Sequence, residues 1–99
     1  EPFGPVAPIA PFKSFDEVIE RANNNDLGLC SYIYTNSMEK AHKASELMET
    51  GCVAVNTPMV AIAEAPFGGI KQTGYGREGG SMAIKDYLNI KYTHLGLKT

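Results

Sequence analysis

The chain has 99 residues, of which 43% are apolar, and a formal charge of −2. This size and apolar content suit one soluble globular unit or a piece of a larger one. The weak net charge argues against a nucleic-acid binder or a membrane-surface protein, and no apolar run approaches the roughly 20 residues that cross a bilayer.

The first third of the chain predicts a strand, a helix and a second strand. Residues 6–12 are apolar but contain two prolines, which suits a strand only at the edge of a sheet. Ser14 followed by Glu17 is a capping box, so a helix is expected to begin here and to end in the amides and glycine of residues 23–28. One apolar stripe defines its inner face: Phe15, Val18, Ile19 and Ala22. Residues 29–35 are rich in β-branched and aromatic side chains, which favours a strand.

A second helix and a third strand follow. Asn36 with Glu39 forms another capping pair, and the helix is expected to end at Gly51. The predicted inner face consists of Met38, Ala41, Ser45 and Met48. Residues 52–56 are almost wholly apolar, which is typical of a strand buried on both faces. The order of elements predicts an α/β fold with a parallel βαβαβ layer and right-handed crossovers. Because ligands bind beyond the carboxyl ends of such strands, the segment after residue 56 is expected at the functional edge.

Residues 65–80 form a loop of unusual composition, in which six of sixteen residues are glycine. Glycine admits backbone conformations that other residues avoid and allows close approach of chains or ligands, so this loop is expected to line a site. After it, residues 81–88 predict a short helix whose apolar contacts are Ile84, Tyr87 and Leu88. Residues 90–96 alternate apolar and polar side chains and predict a final strand with an unpaired edge.

Three motifs in this order resemble the carboxyl-terminal segment of NAD(P)-dependent aldehyde dehydrogenases. Residues 66–78 resemble the PFGG motif followed by GxGRE, residues 1–5 resemble E-x-F-G-P, and residues 51–56 resemble G-x-V-x-V-N. The resemblance implies that residues 1–89 are the carboxyl-terminal part of the catalytic domain and that residues 90–99 are an oligomerisation strand and tail. It implies a homodimer or homotetramer. Because the chain opens inside a motif, we expect a piece of a longer protein.

The resemblance also implies the chemistry. Family members use thiolate attack on the aldehyde, hydride transfer to NAD or NADP and hydrolysis of the thioester. The nucleophilic cysteine, the general base and most of the cofactor site are expected upstream of Glu1, so the chain alone is expected to be inactive. Cys30 and Cys52 begin predicted strands and show no metal-ligand spacing or disulfide framework. We therefore expect structural thiols, no metal site and a cytoplasmic location.

By resemblance, two residues of the first motif contact the cofactor: Glu1 hydrogen-bonds the nicotinamide ribose, and Phe3 packs near the nicotinamide. A carboxylate suits a ribose diol because it can accept two hydrogen bonds at once. The run from Gly74 to Gly79 matches a dinucleotide fingerprint formally. No strand directly precedes it, and His94 stands where the fingerprint needs an acidic residue, so a pyrophosphate site there is disfavoured.

The aldehyde pocket is expected to include Phe67 and, from the preceding loop, Thr57, Met59 and Ala61. An apolar wall with an aromatic ring would exclude water and orient the substrate, although Phe67 could instead simply anchor the loop. Two readings of Glu78 stay open: a carboxylate in a proton-release path, or an ion pair with Arg77, Lys71 or Lys85.

The end of the chain is similar to the succinate-semialdehyde dehydrogenase branch. That branch usually has a serine six residues before the PFGG phenylalanine, where this chain has Ala61. This difference weakens the case for succinate semialdehyde and leaves room for a longer semialdehyde or an uncharged aldehyde. Two alternatives to a dehydrogenase segment are a non-catalytic α/β scaffold and a stand-alone mononucleotide-binding module.

Overall fold

A computed structural model describes residues 3–98 of the chain. It contains two α-helices, four short strands and one 3-10 helix within these residues. In chain order they are α1 (Phe15–Asn23), β1 (Leu27–Gly28), β2 (Cys30–Ile33), α2 (Met38–Leu47), β3 (Cys52–Val55), β4 (Ile70–Lys71) and the 3-10 helix (Ala83–Tyr87).

The centre of the fold is the parallel pair β2 and β3, which α2 connects. Its register runs from Cys30 opposite Cys52 to Ile33 opposite Val55. The predicted α/β class and the unit formed by β2, α2 and β3 are therefore confirmed. The buried apolar residues are small: Ala41 and Ala44 on α2, and Ala54 on β3. The other three residues of β3 are only half-buried, so the prediction of a strand buried on both faces is wrong for the chain by itself.

Helix α1 begins where the sequence predicts. The Glu17 amide donates to Ser14 Oγ at 3.1 Å, and Glu17 Oε2 accepts from the Lys13 amide at 2.8 Å. The helix does not end in a left-handed residue as predicted, since Asn24, its C-cap, has a φ of −77°. The Asn25 side chain donates to the Ala22 carbonyl in the last turn at 2.7 Å. Its apolar stripe lines an open groove of about 510 Å³ over β2, and no α1 residue is fully buried.

Helix α2 is capped one residue later than predicted. Ser37 Oγ accepts from the Lys40 amide at 3.2 Å, so Ser37 and not Asn36 is the N-cap. The inner face also differs from the prediction. Ala44 is buried while Met38 is 84% exposed, whereas the sequence pattern placed Met38 inside.

A second, antiparallel pair joins β1 to β4, with Leu27 opposite Lys71 and Gly28 opposite Ile70. This pairing was not predicted. The Lys71 ammonium secures it by donating to the Asn23 carbonyl at 2.9 Å and the Asn25 carbonyl at 3.2 Å, and it also forms an ion pair with Glu49. The middle of the glycine-rich loop is thereby tied to the end of α1.

Three predicted elements differ in the structure. Residues 6–12 and 90–96 are extended but form no strand within residues 3–98. A strand needs a neighbouring backbone, and neither segment pairs with one among residues 3–98. The predicted helix at 81–88 is a 3-10 helix, and its expected apolar contacts are exposed: Ile84 by 59%, Tyr87 by 81% and Leu88 by 60%.

The molecule is expanded for its length. Its radius of gyration is 19.3 Å, whereas a compact domain of this length measures about 13 Å. The extended segments before α1 and after the 3-10 helix account for this, since most of their apolar side chains face solvent, including Ile9 at 90% and Ile90 at 101% exposure. Apolar surface on this scale marks sites where further protein packs.

Candidate functional site

The glycine-rich loop folds into a narrow hairpin that we call the loop hairpin, formed by residues 63–69 and 76–80. At its centre the Phe67 amide donates to the Glu78 carbonyl and the Glu78 amide donates to the Phe67 carbonyl, each at 2.7 Å. Further along, the Gly80 amide donates to the Ala63 carbonyl at 2.8 Å. These bonds hold Phe67 in one backbone position without a regular strand.

The Arg77 side chain bridges the two branches of the loop hairpin. Its Nη1 donates to the Gly69 carbonyl at 2.9 Å and to the Gly76 carbonyl at 2.7 Å. A guanidinium presents several donors in one plane, so it can satisfy two carbonyls that the tight loop leaves without backbone partners. Arg77 therefore stabilises the loop from within.

The loop hairpin rests on the start of β3 through an unusually close backbone contact. A Cβ added at Gly51 would lie 1.8 Å from the Gly68 carbonyl oxygen. Glycine is therefore required at this position, and the parallel pair supports the loop directly.

Asn56 joins the carboxyl ends of the two parallel strands. Its Oδ1 accepts from the Thr35 amide at 2.9 Å, and its Nδ2 donates to the Thr35 carbonyl at 3.0 Å. The residue has a φ of 53°, in the left-handed region that asparagine tolerates better than most side chains. The chain leaves the sheet edge at this point and continues into the predicted substrate-binding segment.

The residues predicted to bind substrate are split between the two ends of the parallel pair: Thr57, Met59 and Ala61 follow Asn56 at the carboxyl ends, whereas Gly68, next to Phe67, packs against Gly51 at the start of β3. Phe67 is half-buried and lines a cavity of about 320 Å³ together with Leu29, Tyr75 and Arg77. Thr57, Met59 and Ala61 lie on the segment between Asn56 and the loop hairpin and are not part of that lining. Met59 is 65% exposed, and its amide donates to Thr57 Oγ1 at 3.2 Å. Their common role in an aldehyde pocket stays a prediction.

The predicted cofactor contacts are only partly described. Glu1 lies outside the described residues, and Phe3 is 96% exposed. The run from Gly74 to Gly79 follows a turn after β4, and no helix begins within it. This run therefore lacks the helix N-terminus at which a dinucleotide fingerprint holds the pyrophosphate.

Glu78 is exposed and forms no ion pair within residues 3–98, where Lys71 pairs with Glu49 instead. The ion pair proposed for Glu78 is therefore not present among the described residues. Its place in a proton-release path stays a prediction.

The two cysteines lie side by side at the starts of β2 and β3, and both are free thiols. Burial, together with the neighbouring Cys52 thiol, raises the pKa of Cys30 above its usual value. A raised pKa disfavours the reactive thiolate, which fits the prediction that Cys30 is structural. Within the described range no group of three or more His, Cys, Asp or Glu residues could hold a metal ion, and no helix there is long and apolar enough to cross a membrane.

Sequence reasoning did not predict three contacts that shape the site: the Asn56 bonds to Thr35, the Arg77 bridge to the Gly69 and Gly76 carbonyls, and the bond from the Arg77 amide to Asp86 Oδ2. An asparagine directly after a buried strand is a signal that could have identified the first. The Arg77 and Asp86 bonds depend on tertiary approach and leave no such signal in the sequence.

Comparisons with known proteins agree with this geometry. Over 96 residues the chain is 51% identical to 3-sulfolactaldehyde dehydrogenase of Pseudomonas putida, covering 97% of this chain and 20% of that enzyme. It is 44% identical over 97 residues to the NADP(+) succinate-semialdehyde dehydrogenase of Escherichia coli strain K12, covering 98% of this chain and 20% of that enzyme. The NAD+ complex of an aldehyde dehydrogenase from Bacillus cereus superposes with a TM-score of 0.89 at 42% identity, covering 97% of this chain and 20% of that one. The chain thus spans about a fifth of these relatives. Residues 1–93, nearly the whole chain, match the aldehyde dehydrogenase family, and the chain therefore belongs to that family.

Proposed function

We propose that the chain is the carboxyl-terminal part of an oxidoreductase that oxidises an aldehyde to its carboxylate with NAD or NADP as oxidant. The observation that carries this proposal is the family match over residues 1–93, with relatives 44% and 51% identical over nearly the whole chain. The nucleophilic cysteine, the general base and most of the cofactor site belong to the rest of the enzyme. NAD and NADP both occur in the descriptions of similar proteins.

In the whole enzyme this segment forms a wall of the aldehyde pocket. The paired bonds between Phe67 and Glu78 support this role, because an aromatic ring on a fixed backbone can orient a substrate and exclude water. Thr57, Met59 and Ala61 supply the neighbouring part of the wall. Glu1 and Phe3 contact the cofactor, and Glu78 takes part in proton release.

The substrate is an aldehyde with a distal anionic group, such as a semialdehyde. Two similar enzymes are named for 3-sulfolactaldehyde and succinate semialdehyde, which carry a sulfonate and a carboxylate respectively. Ala61 offers no side-chain donor where the succinate-semialdehyde dehydrogenase branch usually has serine. The enzyme should therefore prefer an anionic aldehyde other than succinate semialdehyde, for example a longer one.

The test is a kinetic comparison with the full-length gene product. We would measure kcat/KM by NAD(P)H absorbance for succinate semialdehyde, glutarate semialdehyde, 3-sulfolactaldehyde and butanal. We expect turnover with the anionic aldehydes and less with butanal. Ala61→Ser should raise kcat/KM for succinate semialdehyde specifically, and a matched Ala63→Ser variant should not.

Two results would contradict the proposal. If the full-length protein had no upstream cysteine nucleophile, or turned over no aldehyde, the alternative of a non-catalytic α/β scaffold would be favoured instead. Activity in the 99-residue chain alone would show that the catalytic groups lie in this segment, against our assignment.

The assembly is a homodimer or homotetramer in which residues 90–96 form a strand with a partner subunit. The exposure of Ile90 at 101% and Tyr92 at 84% supports this, because an alternating extended segment with free edges pairs readily. Light scattering of the full-length enzyme, with and without residues 90–99, tests it: truncation should release monomers. The free thiols of Cys30 and Cys52 suit a reducing compartment such as the cytoplasm.

A further inference from the structure

Asp86 makes a specific contact with the loop hairpin from outside it. The residue lies in the 3-10 helix, and its Oδ2 accepts from the Arg77 amide at 2.8 Å. A bond from a backbone amide to a carboxylate is charge-assisted and stronger than one between neutral groups. The 3-10 helix is thereby tied to the second branch of the loop hairpin at one atom.

The neighbouring glycine makes this contact possible. Gly76 has a φ of 85°, and a Cβ at this position would lie 2.9 Å from Asp86 Oδ2. Any other residue would be strained at this φ, and its Cβ would displace the end of the Asp86 side chain. Glycine at position 76 therefore lets the Asp86 carboxylate reach the Arg77 amide.

The contact of Asp86 is connected to Phe67 through two neighbouring residues, Arg77 and Glu78. Arg77, whose amide Asp86 holds, bridges to the Gly69 carbonyl through its guanidinium. The next residue, Glu78, exchanges two backbone hydrogen bonds with Phe67. The backbone of Phe67 is thus one residue away from the amide that Asp86 fixes.

We propose that Asp86 is a positioning residue for aldehyde oxidation, which holds the loop hairpin so that Phe67 keeps its orientation in the aldehyde pocket. This inference rests on the proposed function. Asp86 also lines the cavity beside Phe67, and we assign its effect on the reaction to the route through Arg77, Glu78 and Phe67. Small displacements of a substrate-orienting group are costly because the reacting atoms must meet in a narrow geometry.

The first test compares three variants of the full-length enzyme. Asp86→Ala should raise KM for the aldehyde about tenfold and leave KM for NAD(P)+ within about twofold. Asp86→Asn keeps an acceptor oxygen and should restore most of the loss. Glu46→Ala, which removes an exposed carboxylate on α2 that has no hydrogen bond within residues 3–98, is the matched control and should behave like the unsubstituted enzyme.

A double-mutant cycle with Phe67→Leu tests the route of the effect. If Asp86 acts through Phe67, Asp86→Ala should change kcat/KM much less in the Phe67→Leu background than in the unsubstituted enzyme. Equal factors in both backgrounds would overturn the inference, as would an unchanged aldehyde KM in Asp86→Ala. A general loss that raises both KM values and that Asn does not rescue would show a merely structural role and would also overturn it.

Hydrogen exchange separates this inference from the proposed function. In Asp86→Ala the amides of Arg77 and Phe67 should exchange about tenfold faster, while the Thr35 amide should be unaffected. Faster exchange with unchanged kinetics would overturn the positioning role of Asp86 while leaving aldehyde oxidation intact. If the unsubstituted enzyme oxidised no aldehyde, both the proposed function and the role of Asp86 in it would be refuted.

Discussion

Two hydrogen bonds join the Asn56 side chain to the Thr35 backbone, and substitutions can remove them one at a time. The side chain and the left-handed backbone of Asn56 contribute separately to the stability of this contact. Asn56→Asp keeps the oxygen that accepts from the Thr35 amide and loses the donor to the Thr35 carbonyl. Asn56→Gly removes both bonds but accommodates the φ of 53°. Asn56→Ala removes both bonds and keeps a Cβ in the left-handed region, which alanine tolerates less well than asparagine.

The expected magnitudes follow from these differences. One net hydrogen bond contributes about 1 kcal/mol, so Asn56→Asp should cost about 1 kcal/mol and Asn56→Gly about 2 kcal/mol of local opening free energy. The left-handed backbone adds about 1 kcal/mol for alanine. The total for Asn56→Ala is then about 3 kcal/mol.

The assay is amide hydrogen exchange of Thr35 in the full-length protein, under conditions where exchange reports the opening equilibrium. Because 1.4 kcal/mol corresponds to a factor of ten, the Thr35 amide should exchange about 5-fold, 30-fold and 150-fold faster in the Asp, Gly and Ala variants. Asn89→Ala is the control, since Asn89 is exposed and has no hydrogen bond within the described residues.

The order of the Thr35 exchange rates in the three variants tests these contributions. Equal exchange in Asn56→Gly and Asn56→Ala would show that the left-handed backbone has no energetic consequence. Unchanged exchange in all three variants would show that Asn56 does not hold the ends of β2 and β3 together, which would refute the reasoning from its contacts.

Three further predictions follow from local contacts. Gly51→Ala should destabilise the enzyme by about 3 kcal/mol in urea unfolding, since its Cβ would meet the Gly68 carbonyl, whereas Gly96→Ala, with open space around it, should cause no loss. The pKa of Glu17 is lowered chiefly by the Lys13 amide, so the stabilisation of the α1 N-terminus should be present above the unfolded pKa and be lost as pH falls through the lowered folded value; an NMR titration showing an ordinary pKa would refute this. Because burial and then Cys52 raise the pKa of Cys30, iodoacetamide should modify it more slowly at pH 8 in the folded protein than in the unfolded chain, and equal rates would contradict the assignment.

Several features of the fold could be predicted because their causes are local. The Ser14 cap and the apolar stripe define α1, and the apolar content of residues 52–56 defines β3, so the structure agrees closely with the predictions for both. The motifs also predicted the family, since the loop glycines and Asn56 occupy positions with close contacts or unusual φ values.

The sequence also misled where two local signals compete. Asn36 and Ser37 are adjacent residues that can both cap a helix, and only the path of the chain from β2 decides that Ser37 does so. Met38 fits the apolar spacing of α2 but faces solvent, whereas Ala41 and Ala44 are the buried residues of the helix.

By itself, the sequence determined the helices, the parallel pair, the family and the glycine-rich loop. Only the tertiary structure decided that β1 pairs with β4, that residues 6–12 and 90–96 are not strands in this chain, and that Asp86 holds Arg77. The physical reason is the range of the interactions. Caps and apolar periodicity act within a few residues, whereas a strand pairing or a carboxylate contact forms only when distant segments of backbone are brought together.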